Sequence, residues 1–218
     1  MMRIYKSLSI ILVFLFLSCN QNTEKKSVTE KKENLKTSNT ENKNIEPKVK
    51  INTSIESFKE FRNAVYQKDK VKVKTFVDFP IYNENNEIWY LEGIADEKFL
   101  KKITDKITPF TETEFDKHYD KIFTTYFVKA ILKIKSEILF KNGQYETIEL
   151  TKDETKYKIY ATYDKINKGI TLNLDMETPI KLNDGENDLI ETAEYNIFYI
   201  FKIEDGKNIK FKQIRIAG

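Results

Sequence analysis

Residues 195–218 read Tyr-Asn-Ile-Phe-Tyr-Ile-Phe-Lys-Ile-Glu-Asp-Gly-Lys-Asn-Ile-Lys-Phe-Lys-Gln-Ile-Arg-Ile-Ala-Gly. Tyr195, Ile197, Tyr199, Phe201 and Ile203 recur at every second position, the longest alternating run in the chain. Side chains two apart share one face of a strand, so this run predicts a strand with its apolar face on a core. Asp205-Gly206 then supplies a turn into a last strand, Ile209 to Ile216. Within that strand Ile209 and Phe211 set one phase, whereas Ile214 and Ile216 set the other. A β-bulge near Lys212-Gln213 reconciles the two phases and would bend the sheet. Without a bulge, Gln213 and Arg215 would project inward, where polar groups orient ligands.

Upstream, Ile170, Leu172, Leu174 and Met176 alternate in the same way, as do Tyr157, Ile159, Ala161 and Tyr163. Ile138–Phe140 and Tyr145–Leu150 flank Asn142-Gly143, a dipeptide that predicts a hairpin turn. Before Glu137 the period is helical. Thr53 and Glu56 have capping-box spacing, and Ile55, Phe58, Phe61 and Val65 form one stripe behind them. Asp69 breaks the pattern and starts a short helix through Val71, Thr75 and Phe76, which Phe79-Pro80 ends. Ile88–Leu91 predicts a short strand. Asp96 caps a helix through Phe99, Leu100 and Ile103, and Thr111 with Glu114 caps another carrying Phe115, Tyr119, Ile122 and Phe123. Phe127, Ile131 and Ile134 continue at helical spacing after a break at Thr124-Thr125. Helices first and an antiparallel sheet of five or six strands afterwards predict an α+β domain over residues 51–218, with its helices on one sheet face.

Phe58-x-x-Phe61, Asp69, Phe79-Pro80, Asp120-Lys121-Ile122-Phe123, Asp205-Gly206-Lys207 and the final Ala217-Gly218 resemble landmarks of exported bacterial members of the nuclear transport factor two-like fold. That resemblance spans residues 54–218 and implies a cone of helices packed into a curved sheet. Proteins of this kind include isomerases, hydratases, small-ligand binders and dimeric modules, so the resemblance implies a fold and leaves the activity open.

The amino terminus predicts an address. Arg3 and Lys6 precede Leu8–Leu17, in which only Ser9 is not apolar, and Ser18-Cys19 closes the run. Ten residues are too few for a membrane-spanning helix, which needs roughly 20, but they suit a secretory signal over residues 1–18. Cys19 is the only cysteine. Its place resembles the lipobox of bacterial lipoproteins, although Phe16 and Leu17 depart from the usual small and aliphatic choices. The expectation is a lipidated Cys19 that anchors the protein to a membrane in the cell envelope, with the domain outside the cytoplasm. Residues 20–50 hold four large apolar residues among Lys, Glu, Asn, Ser and Thr, a composition that cannot offset its ordering entropy and serves as a spacer.

Charge excludes one class of partner. Of 37 Lys and Arg, two lie in the signal and eight in the tether, leaving 27 against 29 Asp and Glu in the domain. Nucleic-acid binding requires a clustered basic excess, and a balanced domain offers none. Cys19 as the only cysteine excludes thiol catalysis, and a catalytic dyad or histidine metal centre would need His118, the only histidine, beside a nucleophile, a carboxylate or another ligand. His118 falls off the apolar stripe of its helix and is expected in solvent. Asp184-Gly185-Glu186-Asn187-Asp188 resembles half a calcium loop, but Ile180 and Leu182 stand where side-chain ligands are needed. No metal and no cofactor are expected, and no residue is assigned a catalytic role.

Tyr195, Tyr199 and Arg215 are the candidate ligand-binding residues, because a tyrosine hydroxyl inside an apolar cone needs a partner. The reading that follows is a lipid-anchored protein whose domain binds a small hydrophobic or polar ligand, or a protein partner, without catalysis. The enzymatic alternative is an acid–base isomerase or hydratase inside the cone; against it, no inward-phase Asp or Glu falls on a clear strand. A third reading is a homodimeric scaffold on the outer sheet face, which the Lys and Glu alternation there supports little.

Overall fold

Thr53 caps the first helix as its spacing predicts. Its hydroxyl accepts the Glu56 N–H at 3.1 Å, and the Glu56 carboxylate accepts the Thr53 N–H at 3.0 Å. The computed structural model describes residues 53–184 and 187–218, the side chains of 181–189 apart. The signal, Cys19 and the tether lie outside those residues. Six α-helices follow one another: α1 (Ser54–Tyr66), α2 (Lys70–Lys74), α3 (Glu97–Ile103), α4 (Glu112–Ile122), α5 (Thr125–Ile131) and α6 (Ser136–Asn142). The side chains of Asp69, Asp96, Thr111 and Thr124 cap α2, α3, α4 and α5 by accepting backbone N–H groups. These are the N-terminal donors a helix cannot satisfy itself.

Six antiparallel strands follow among the described residues: β1 (Gln144–Glu146), β2 (Leu150–Lys152), β3 (Thr155–Asp164), β4 (Gly169–Asp184), β5 (Asn187–Glu204) and β6 (Asn208–Ala217). They form one open sheet in the order β1-β3-β4-β5-β6, with β2 beside β1 on the edge of β3. The domain is α+β, helices before sheet. The predicted bulge is present. Gln213 lies opposite Ile200 and Phe211 opposite Phe201, so Lys212 is the extra residue. Ile209, Phe211 and Ile214 therefore all reach the core despite their phase change. Lys212, freed from pairing, reaches Asp78 at 2.6 Å and Glu204 at 2.8 Å.

Two predicted elements differ. Asn142-Gly143 ends α6 instead of turning a hairpin: Gly143 sits at φ 81°, and its N–H returns to the Leu139 carbonyl at 2.8 Å. A glycine in the left-handed region serves a helix C-terminus as well as a hairpin. Burial of Leu139 against the core settles which. The predicted strand Tyr145–Leu150 consequently divides into β1 and β2 around Thr147, whose hydroxyl accepts the Ile159 N–H. Ile88–Leu91 is no strand but the end of a 3₁₀ segment, Glu84–Tyr90, with Asn85 and Asn86 at φ 61° and 59°. Buried Trp89 donates its indole N–H to the Thr108 carbonyl at 3.1 Å, which holds this segment against the loop between α3 and α4.

The core lies between the helices and the inner sheet face. Phe61 meets Phe76, Phe123 and Phe201 at ring-centre distances of 5.6, 5.9 and 5.0 Å. These are edge-on contacts, the preferred aromatic geometry.

Candidate functional site

The inner face of β5 carries both candidate tyrosines, and their environments differ. Tyr199 is fully buried, donates its hydroxyl to the Ile122 carbonyl at 2.8 Å, and packs on Phe127 at 3.9 Å between ring centres. Burial pushes its phenol far above the ordinary range. Its hydrogen-bonding needs are thus met by the protein, and the centre of the domain is packed with side chains.

Tyr195 precedes it by two inward positions on β5 and is only half-buried. The pairing of β3 with β4 ends at Lys156 opposite Glu177, and that of β5 with β6 at Asn196 opposite Ala217. Beyond those pairs β4 and β5 continue alone, so the sheet outruns the helices that cover it. There the inner face opens into a cleft of about 860 Å³. Met176 and Tyr195 of the sheet line it, together with Lys121, Tyr126 and the Tyr90–Glu92 segment. Burial and the nearby Glu92 carboxylate raise the Tyr195 phenol, which stays a neutral hydrogen-bond donor at physiological pH.

Two of the four charges that line the cleft are engaged in ion pairs. Asp120 pairs with Lys68 at 2.7 Å, and Lys152 pairs with Asp153 at 3.2 Å while lying 5.4 Å above the Tyr126 ring. Lys121 has no acidic partner within 4.0 Å among the described residues. Its ammonium rests on the bare face of Gly93, 2.9 Å from where a Cβ would stand, and the φ of 72° there also favours glycine. The site therefore combines apolar and aromatic side chains, a tyrosine hydroxyl and two charges without an ion pair among the described residues, Lys121 and Glu92, which suits an amphipathic molecule.

Arg215 is elsewhere. It pairs across from Phe198 on the outer sheet face and is exposed beside a hollow of about 360 Å³ containing Phe198 and Ile200. The structure thus places Tyr195, Tyr199 and Arg215 in three surroundings: an open cleft, a packed core and the opposite face. The outer face is also more apolar at β5 than Lys and Glu alternation suggests, since Phe198 and Ile200 stand next but one to each other there.

His118 is not in solvent. It is 8% exposed, with its ring 6.4 Å from that of Phe110. A second layer, formed by the 3₁₀ segment and the loop before α4, covers the side of α4 that its stripe leaves bare. Burial, and next the positive Lys117, lower its pKa. The unfolded chain then takes up a proton first as pH falls below about 6.5, so stability drops through that window and levels off below the folded value. His118→Phe should flatten this slope, at most about 1.4 kcal/mol per pH unit, in urea titrations between pH 5 and 7; an unchanged slope would place the titrating group elsewhere.

Among the described residues no three His, Cys, Asp or Glu are clustered to hold a metal. Asp184 pairs with Asn187 at the end of the β4–β5 hairpin, and Gly185-Glu186 of the calcium-like stretch lie outside the described residues. No described helix is long and apolar enough to cross a membrane. No family model and no curated protein matches the chain.

Proposed function

We propose that the protein is an exported lipoprotein with a nuclear transport factor two-like domain, which binds a small amphipathic ligand in the Tyr195 cleft without catalysis. One observation carries the ligand reading: the open volume of about 860 Å³ beside Tyr195 falls within the range of small-molecule sites. The enzymatic alternative calls for a carboxylic acid kept neutral by burial beside a tyrosine. Glu92, whose charge Tyr195 feels, is exposed instead. The address rests on the apolar run Leu8–Leu17 followed directly by Ser18-Cys19.

Two measurements test the two halves. In a bacterial host, wild type should incorporate labelled palmitate and sediment with membranes, whereas Cys19→Ser should lose the label; label retained on the serine variant refutes the anchor. Native mass spectrometry of the protein released from detergent should show added mass that vanishes on denaturation. Tyr195→Ala combined with Lys121→Ala should lose that mass, and a double variant carrying the same adduct would move the ligand out of this cleft.

A further inference from the structure

The β4–β5 hairpin runs past both of its neighbours, since β3 pairs with β4 no further than Glu177 and β6 with β5 no further than Asn196. Its two edges are finished differently. In an antiparallel strand, successive residues direct their N–H and C=O groups to opposite neighbours. Ile203 donates its N–H to the carbonyl of Lys168, the residue before β4, so odd positions of β5 face β4 and even positions face away. Glu194 agrees, its carbonyl lying 2.8 Å from where a Cβ on Gly218 would stand. Past Asn196 the outward groups are therefore those of Glu194, Thr192 and Ile190, and no described residue forms a ladder with them. On β4 the first outward position past the β3 pairing is Pro179, which has no N–H to offer. Proline closes one edge against strand addition, and the other edge is left open.

The open edge is acidic. Glu194 stands directly across from Glu177 on the outer face, in a pair that exchanges no ladder hydrogen bonds and so brings its side chains closest. Like charges placed opposite one another repel, and neither carboxylate has an ion-pair partner among the described residues. Glu191 is exposed, and residues 184–194 contain five acids and no base. Ile190, 68% exposed, is the apolar residue of the edge. A second copy added edge to edge would set these acids against each other, so charge selects a different strand. We propose that residues 190–194 of β5 receive an extended segment of a partner protein, with Lys or Arg alternating with apolar residues, which adds to the sheet along the line that β6 leaves at Ala217. Backbone hydrogen bonds supply affinity in such a mode, and side chains supply choice. A cation beside Glu194 relieves its repulsion with Glu177, and a third strand supports a two-stranded ribbon that is marginal in water by itself. The edge is distinct from the Tyr195 cleft and stands whether or not that cleft binds anything.

The full chain in non-ionic detergent is titrated with a fluorescent peptide, Lys-Val-Lys-Val-Lys-Val, and with its acidic counterpart, Glu-Val-Glu-Val-Glu-Val. The basic peptide should bind saturably with Kd below about 100 μM, and about tenfold more weakly when salt rises from about 50 to about 300 mM. Hydrogen exchange over residues 190–194 should slow by about fivefold or more in the complex. Thr192→Pro removes an outward N–H without touching the ladder to β4, and should weaken binding about tenfold or more with the far-UV spectrum unchanged. Glu191→Lys combined with Glu194→Lys keeps every backbone donor and should transfer the preference to the acidic peptide. The proposal is overturned if wild type binds the basic peptide no better than the acidic one, if protection falls elsewhere, if binding survives Thr192→Pro, or if charge reversal leaves the preference unmoved. A concentration-dependent dimer of the protein alone that Thr192→Pro abolishes would overturn it in favour of self-pairing.

Discussion

Asn86→Asp should lower the stability of the domain by about 3–5 kcal/mol, although it exchanges one amide nitrogen for an oxygen. Asn86 is 4% exposed and all its hydrogen-bonding capacity is directed inward. Its amide donates to the carbonyls of Ile103 at 2.8 Å and Lys106 at 2.7 Å, while its Oδ1 accepts the Thr108 N–H at 2.7 Å. One side chain thus ties the 3₁₀ segment to the end of α3 and to the loop that leads into α4. An aspartate tolerates the same left-handed backbone but aims a carboxylate oxygen at two carbonyl oxygens. The introduced carboxyl can relieve this only by holding its proton, so its folded pKa is raised. Its stability is then lost as pH rises through that value. The urea midpoint should fall by more than about 1 M, and further at pH 8 than at pH 5. A midpoint within about 0.3 M of wild type at both pH values would remove Asn86 from this role.

Phe123→Ala is the second large effect, about 3–5 kcal/mol. Phe123 follows α4 and leaves the helical region at ψ 76°, which turns its ring to the centre of the domain. Six aromatic rings surround it: Tyr119 at 5.3 Å, Phe127 at 5.6 Å, Phe61 at 5.9 Å, Phe115 and Phe211 at 6.1 Å, and Tyr199 at 6.2 Å. These come from α1, α4, α5, β5 and β6, so no single neighbour can move to refill the space. Thermal unfolding should occur about 10 °C lower, and Phe123→Leu, which keeps most of the volume, should recover more than half of the loss. A fall below about 3 °C for the alanine variant would mean the core collapses around the gap.

The strands were legible where apolar residues alternate without interruption, because period two has one structural meaning on a half-buried sheet. Phase conflict in the last strand located the bulge to within a residue for the same reason: Ile209 and Ile214 can both be buried only if one residue is skipped. Asn142-Gly143 was misread because a left-handed glycine is common to a hairpin and a helix end, and only Leu139 in the core separates them. His118 was misread because an amphipathic stripe reports the first surface a helix meets, not a second layer laid across its other face. Nothing local marks Asn86, whose three partners lie 17 to 22 positions away.

The sequence by itself determined the class of the fold, the caps of α1 to α4, the alternation of its sheet and the expectation of an exported, anchored protein, since each rests on periodicity or on neighbours within a few residues. Tertiary structure alone decided that Tyr199 serves the core while Tyr195 faces a cleft. The two are equivalent in phase and differ only in how far along β5 the helices reach, a distance set by packing between segments remote in the chain. The same holds for the burial of His118: its surroundings come from Trp89, Phe99 and Phe110, and residues far apart in sequence acquire a common wall only when the chain has folded.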